Sequence, residues 1–135
     1  MRSPGGIKIE VKSASYRQTW GQKRDSEIRF GIAPTQLWSA ETGEYRGERK
    51  RHAEVYIFCL RDNRQTHERD PLELSRWRFY VLRTTTLDAK HNRQNSIGLR
   101  SLLALDPAHC AFEKLAVTID AVFIQRTVPE VNPKP

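Results

Sequence analysis

The chain has 135 residues, of which 38% are hydrophobic and 29% are charged. This composition predicts a folded domain with a buried core, and it excludes a disordered chain and a membrane-embedded one. The 23 Lys and Arg outnumber the 16 Asp and Glu, and the net charge of +7 makes nucleic acid a reasonable partner without requiring one.

The N-terminus carries a turn followed by a strand. Residues 4–6 read Pro-Gly-Gly, which is turn chemistry because proline presets one dihedral angle and glycine accepts positive φ. Residues 7–12 alternate apolar and charged side chains, the period of a half-buried strand, and so place Glu10 and Lys12 on one face. Because only three residues precede the turn, we expect the chain to begin inside a hairpin whose first strand is missing. A leader without structural meaning is the alternative.

Polar connections and a second strand follow. Residues 13–20 predict a loop or a single helical turn. Apolar side chains alternate again over residues 28–32, which predicts a second strand, and Pro34 ends this strand. Residues 35–52 are predicted to form a long polar connection. The charged run at its end, residues 48–52, is typical of a solvated loop, with phosphate contact as the alternative.

The most hydrophobic stretch, residues 53–60, is apolar on both faces from Val55 onward, which predicts a central strand covered on both sides. This favours a layered α/β domain over an open antiparallel sheet. Cys59 in this strand and Cys110 further on have neither zinc-site nor CxxC spacing, so we predict small buried thiols in a reducing compartment. The N-terminus has no apolar signal region, and we expect a cytoplasmic protein.

The second half of the chain predicts short helices and strands in alternation. An Asp-Pro pair at residues 70–71 predicts the start of a short helix, and residues 77–82 predict a strand. Residues 84–88 predict a brief helical turn, residues 97–99 a short edge strand, and residues 102–105 an apolar turn.

A second Asp-Pro pair, residues 106–107, predicts the start of an amphipathic helix whose apolar side chains recur at helical spacing between residues 112 and 123. Residues 127–135 contain three prolines and predict a frayed tail. We therefore predict one domain at residues 1–126, followed by a Pro-rich tail at residues 127–135.

Glu10 and Lys12 are the candidate chemical groups. Two residues along a strand are about 6.6 Å apart, so a carboxylate and an ammonium can serve one bound ion or phosphate. The carboxylate can ligate Mg²⁺, and the lysine can contact a phosphate or polarise a water. An ordinary exposed ion pair is the alternative, and the same acidic-x-Lys pattern recurs at residues 48–50 and 88–90, outside any predicted alternating strand.

This Glu-x-Lys strand, preceded by a turn, resembles the second half of the active-site motif of PD-(D/E)XK, or restriction-endonuclease-like, nucleases. Further blocks over about residues 7–105 are similar to a largely uncharacterised bacterial group in that superfamily. The blocks are residues 9–13 with Tyr16, Gln18 and Trp20; residues 53–60; residues 70–72 with Trp77 and residues 79–82; and residues 96–97 with Leu99.

The resemblance implies an α/β fold with a three-layer restriction-endonuclease-like core, in which a central mixed sheet is flanked by helices. It also implies that Glu10 ligates Mg²⁺ in the catalytic site, that Lys12 positions or activates the attacking water, and that Gln18 assists them. The upstream aspartate of the family would lie on the strand before the turn, which this sequence lacks. An inactive chain is therefore an alternative, unless Asp25 or Glu27 substitutes for that aspartate.

The leading hypothesis is a Mg²⁺-dependent phosphodiesterase that hydrolyses DNA. One alternative is a non-catalytic module of nuclease-like fold that binds nucleic acid through Arg49, Lys50 and Arg51. The other is a partner-binding domain whose positive charge is incidental. We expect no membrane partner, while the choices between DNA and RNA, and between a monomer and a homodimer, stay open.

Overall fold

The computed structural model of the protein describes residues 1–16, 27–62 and 77–127. For residues 125–127 it describes the backbone alone. Its elements are β1 (Ile9–Ser15), β2 (Arg29–Gly31), β3 (Thr35–Ser39), β4 (Glu44–Lys50), β5 (Val55–Arg61), β6 (Trp77–Arg83), α1 (Thr84–His91), β7 (Ser96–Gly98), α2 (Leu99–Ala104), β8 (Ala108–Cys110) and α3 (Leu115–Thr127). A 3-10 turn, Phe112–Lys114, precedes α3. None of the helices in these ranges is long and apolar enough to cross a membrane.

A four-stranded mixed sheet forms the centre of the fold, in the order β1-β5-β6-β8. β5 pairs in parallel with β1 and antiparallel with β6, and β6 pairs antiparallel with β8. Every residue of β5 is buried, as expected for an apolar strand that is covered on both faces. The predicted central strand and the α/β class with a central mixed sheet are therefore confirmed.

Each face of the central sheet has its own hydrophobic cluster. On one face, β5 and β6 pack against β2, β7, α1 and α2. Phe30 of β2 meets Phe58 of β5 edge to face there, with their ring centroids 5.1 Å apart. On the other face, α3 contributes Ile119 and Val122 to the cluster. The sheet thus lies between α3 on one side and a layer of short elements on the other.

Residues 35–52 form a hairpin over most of their length, so the predicted polar connection is wrong. β3 and β4 pair antiparallel as a separate two-stranded sheet. Gly43 adopts a positive φ of 67° between them, a conformation that glycine accepts without steric cost. Every residue of β4 is exposed. A strand without a buried face needs no alternation of apolar side chains, and hydrophobic periodicity therefore gives no indication of it.

The short elements of the second half largely follow the prediction. Strands are confirmed where residues 28–32, 77–82 and 97–99 predict them, as β2, β6 and β7. The brief helical turn predicted over residues 84–88 is a full helix of eight residues, α1, and most of the apolar turn at residues 102–105 belongs to α2.

The second Asp-Pro pair does not start a helix. Asp106 adopts a positive φ of 55°, which Asp tolerates better than most residues, and β8 follows it directly. The amphipathic helix itself is confirmed, but it begins later, at Leu115. The first Asp-Pro pair at residues 70–71 and residues 128–135 of the predicted tail lie outside the described residues.

The Pro-Gly-Gly segment forms the predicted turn, and the three residues before it fold back onto the start of β1. The amide of Ser3 donates to the carbonyl of Ile7 at 2.8 Å, and the amide of Ile9 donates to the carbonyl of Met1 at 2.7 Å. Gly6 closes the turn with a positive φ of 85°. An antiparallel stretch therefore lies beside the start of β1, on the side opposite to β5.

Two free thiols flank Phe79 in the central sheet. Cys59 on β5 and Cys110 on β8 are both register partners of Phe79 on β6. Two strand spacings separate them, roughly 9.6 Å, which is too far for a disulfide. Cys59 is buried, as predicted, and Cys110 is half-buried.

The two thiols should differ strongly in reactivity. Burial raises the pKa of the Cys59 thiol to about 11. Because the thiolate is the nucleophile, we expect an alkylating reagent at mildly alkaline pH to modify Cys110 at least about a hundredfold faster than Cys59. Mass spectrometry of peptides after timed labelling of the native chain measures both rates. A Cys110→Ser variant should then show no fast-reacting thiol, and rapid labelling of Cys59 would contradict its burial.

Candidate functional site

The candidate site lies on β1, at one edge of the central sheet. In the parallel register with β5, Glu10 lies beside Tyr56 and Lys12 lies beside Phe58. Successive residues of a strand point to opposite faces, so Glu10 and Lys12 share the face that carries Tyr56 and Phe58. Ile9 points the other way, into the cluster beneath α3. Burial of Ile9 therefore orients Glu10 and Lys12 toward the other face.

The charged groups of this face are available to a ligand. Glu10 is exposed and Lys12 is half-buried. Within the part of the chain that the structure describes, neither side chain has a hydrogen bond or an ion pair with another residue. A carboxylate attracts a cation and an ammonium attracts an anion, so the pair can serve a metal ion and a phosphate together.

Tyr56 adds a protonated hydroxyl to the same face. Its side chain is almost fully buried at 4% exposure, and its ring stacks on Phe58 with the centroids 5.7 Å apart. Burial raises the pKa of Tyr56, and the negative charge of Glu10 raises it further; Arg51 lowers it and Asp88 raises it. The hydroxyl therefore stays protonated at neutral pH, within electrostatic reach of carboxylates from β1 and α1.

Mg²⁺ is usually held by one or two protein carboxylates, with waters and substrate phosphates as its other ligands. Glu10 fits one such position, because its carboxylate is exposed and has no hydrogen bond or ion pair among the described residues. Those residues contain no group of three or more His, Cys, Asp or Glu side chains that could hold a metal ion. A single exposed carboxylate can hold an ion whose other ligands are waters and substrate phosphates.

Three further residues were predicted to assist Glu10 and Lys12 or to replace the upstream aspartate. Gln18, the predicted helper, and Asp25, a predicted substitute for the upstream aspartate, lie outside the described residues. Glu27, the second predicted substitute, is exposed and forms an ion pair with Arg29 at 3.8 Å between Oε1 and NH1. Of the predicted groups, the structure therefore brings together Glu10 and Lys12.

The structure separates the three basic residues predicted to contact nucleic acid. Arg49 and Lys50 are exposed at the end of β4. The side chain of Arg51 is 0% exposed and turns into the protein. The prediction for Arg51 is thus corrected: a guanidinium without accessible surface cannot contact a phosphate, and only Arg49 and Lys50 keep the predicted role.

Arg51 instead holds the base of the hairpin against α1. A guanidinium has five N–H donors, and Arg51 has five acceptors for them. The acceptors are the carboxylate of Asp88 (2.7 Å) and the carbonyl groups of Ile32 (2.8 Å), His91 (2.8 Å), Gln94 (3.0 Å) and Asn92 (3.3 Å). The carbonyl groups at the end of a helix lack partners within it and attract a positive charge. Arg51 therefore caps the C-terminal end of α1.

Sequence reasoning missed the polar surroundings of the site. Tyr56 belongs to a stretch that predicts a buried strand, and Asp88 belongs to a predicted helical turn, so neither pattern indicates that Tyr56 lies beside Glu10 and within electrostatic reach of Asp88. The sequence does contain an indication that Trp38 and Tyr45, the exposed aromatic residues of the hairpin, are paired. The two rings flank a short polar segment that contains Gly43, as cross-strand partners around a turn do.

No protein-family model matches the chain, and no match was found among curated proteins or among solved structures. The resemblance to the restriction-endonuclease-like nucleases therefore rests on the sequence blocks alone.

Proposed function

We propose that the chain is a nuclease-like domain that binds DNA and, with Mg²⁺, hydrolyses phosphodiester bonds at Glu10 and Lys12. The observation that carries this proposal is the shared face of the two residues on β1, with both charged groups free of other partners in the described part of the chain. Glu10 would hold the ion, and Lys12 would position the attacking water or contact the phosphate. A bound Mg²⁺ supplies charge stabilisation at the scissile phosphate.

The layering of the fold supports a restriction-endonuclease-like core. Such a core has a central mixed sheet with helices on both faces, and here α3 covers one face while α1 and α2 contribute to the layer on the other. The catalytic strand of this proposal, β1, has the parallel strand β5 on one side and the antiparallel N-terminal stretch on the other. The proposed site therefore lies beside a neighbouring strand, as the resemblance implies.

The charge distribution supports nucleic acid as the substrate class. The net charge of +7 attracts a polyanion, and Arg49 and Lys50 present cations on an exposed strand. Binding of this kind neutralises phosphates and releases counterions, so it should weaken steeply as the salt concentration rises.

The test compares cleavage and binding on the same preparation. Supercoiled and linear DNA are incubated with the chain at low salt, with Mg²⁺ or with EDTA, and the products are separated by electrophoresis. We expect nicking or cutting that needs Mg²⁺ and stops with EDTA. Fluorescence anisotropy of labelled DNA over a salt series, in EDTA, measures binding separately from cleavage.

The second candidate is a non-catalytic nucleic-acid-binding module of nuclease-like fold. It is favoured by the donor set, because the described residues hold no group of three metal-ligating side chains. Salt-dependent binding without cleavage in any divalent metal would support this candidate over the first. If DNA does not bind at low salt, both candidates fail, and a partner-binding domain is left.

A further inference from the structure

The β3–β4 hairpin presents two aromatic rings to solvent. Trp38 and Tyr45 are cross-strand partners, and their rings meet edge to face with centroids 5.1 Å apart and an angle of 67° between the planes. Trp38 is 58% exposed and Tyr45 is 65% exposed. Aromatic side chains of this size contribute most when they are buried, so an exposed pair on a projecting strand indicates a surface that is covered by a partner.

The base of the hairpin anchors this pair. Arg51, the residue after β4, is buried and donates five hydrogen bonds, one to the carbonyl of Ile32 and four to α1 and the turn that follows it. Between the strands, Gln36 Nε2 donates to the carbonyl of Gly47 at 2.7 Å. The Nε2 atom of His52 lies 2.7 Å from the carbonyl oxygen of Thr35. Rings held on an anchored hairpin lose less freedom when a ligand binds them, which favours affinity.

The charges of β4 add only a small net attraction for a polyanion. The strand mixes three cations, Arg46, Arg49 and Lys50, with the carboxylates of Glu44 and Glu48. Most of the general attraction therefore comes from the net charge of +7 on the whole chain. What the hairpin adds is the aromatic surface, and ring surface contacts bases rather than phosphates.

A second copy of the chain fits this surface less well than nucleic acid does. A stable interface buries about 800 Å² on each partner, whereas a Trp and a Tyr together supply roughly 400 Å². Leu37, the exposed apolar neighbour of Trp38, points to the opposite face of the hairpin and cannot extend the patch. Two chains of charge +7 also repel each other.

We propose that Trp38 and Tyr45 bind single-stranded nucleic acid by stacking on its unpaired bases. This inference rests on the proposed function, because it names the form of nucleic acid that the domain takes. Bases inside a duplex are stacked on one another and offer no free face to a protein ring, so unpaired strands are preferred. The contact tolerates different sequences, since every base has a π-face.

The test uses fluorescence anisotropy in EDTA at low salt with three labelled probes of equal length: a single strand, an abasic strand and a duplex. The abasic strand keeps the phosphates and lacks the bases, so the parent chain should bind it roughly tenfold or more weakly than the base-bearing strand. A Trp38→Ala/Tyr45→Ala variant should lose this preference and keep its affinity for the abasic strand. Leu37→Ala, on the opposite face of the same hairpin, should bind all probes like the parent.

The outcomes separate this inference from the proposed function. If none of the three probes binds, the proposed function fails, and the inference fails with it. If the duplex alone binds, only the inference is overturned. If the parent binds both strands equally, or the double variant keeps the parent's preference, only stacking is overturned. The first comparison needs no variant, so misfolding of the double variant cannot obscure it. Sedimentation that shows a parent dimer lost in the double variant would assign the surface to a second copy and overturn the inference.

Discussion

Replacing Arg51 by alanine should lower the free energy of unfolding by about 3–5 kcal/mol, because each buried carbonyl group that is left without its donor costs about 1–3 kcal/mol. The guanidinium is 0% exposed, and its loss leaves the carbonyl groups that it satisfies without a donor. Ile32 is itself completely buried, so water cannot readily replace the lost hydrogen bond there. Urea unfolding, followed by circular dichroism, measures the change.

Three matched variants test the reason for this loss. Arg49→Ala removes the same charge from an exposed position and should change the stability by about 0.5 kcal/mol or less. Arg51→Lys keeps the charge but loses the planar guanidinium with its five N–H donors, so this variant should be clearly less stable than the parent. Asp88→Asn should cost less than Arg51→Ala, because the amide oxygen can still accept the hydrogen bond from Arg51 although the guanidinium loses its counterion. Equal stability of Arg51→Ala and Arg49→Ala would contradict the proposed anchoring of the hairpin.

The parts of the fold that the sequence predicts are those where burial imposes a period. β5 is covered on both faces and reads as a continuous apolar run. β1 begins with Ile9 buried beneath α3, and its alternation correctly places Glu10 and Lys12 on one face, although Val11, on the same side as Ile9, is 39% exposed. In α3, apolar side chains recur at helical spacing because Ile119 and Val122 pack on the sheet.

The parts that the sequence does not predict depend on contacts between distant segments. β3 and β4 are held by backbone pairing and a turn, so no apolar face marks them. The burial of Arg51 depends on carbonyl groups some forty positions further along the chain, and a basic residue in a charged run is otherwise typical of solvent-exposed loops. The approach of Tyr56 to Glu10 depends on the parallel register of β5 with β1, which neither strand encodes alone.

The hairpin and the candidate site are connected through the same contacts. Arg51 anchors the end of β4 and at the same time binds the carboxylate of Asp88 on α1. Asp88 and Glu10 both act on the pKa of Tyr56, on the face that carries Lys12. Arg51 itself lowers that pKa, so the base of the hairpin lies within electrostatic reach of the tyrosine beside Glu10.

Replacing Glu10 by glutamine or Lys12 by methionine should lower Mg²⁺-dependent DNA cleavage by roughly a hundredfold or more, since each variant removes a charge that the proposed reaction requires. Both side chains are free of other partners among the described residues, so neither variant should unfold the chain. In EDTA, Glu10→Gln should bind DNA at least as tightly as the parent, because a negative charge facing the phosphates is gone. Lys12→Met should bind slightly more weakly and with a shallower salt dependence.

The matched control is a second pair of one carboxylate and one lysine on the opposite side of the sheet. Glu113 and Lys114 are exposed in the 3-10 turn before α3, and the neighbouring Phe112 packs against Phe79 on that side. Glu113→Gln and Lys114→Met make the same chemical changes away from β1 and should cleave like the parent. Cleavage that persists in Glu10→Gln and Lys12→Met would show that the reaction takes place elsewhere. A loss in all four variants would also contradict the assignment, because the effect would then not be specific to the face of β1.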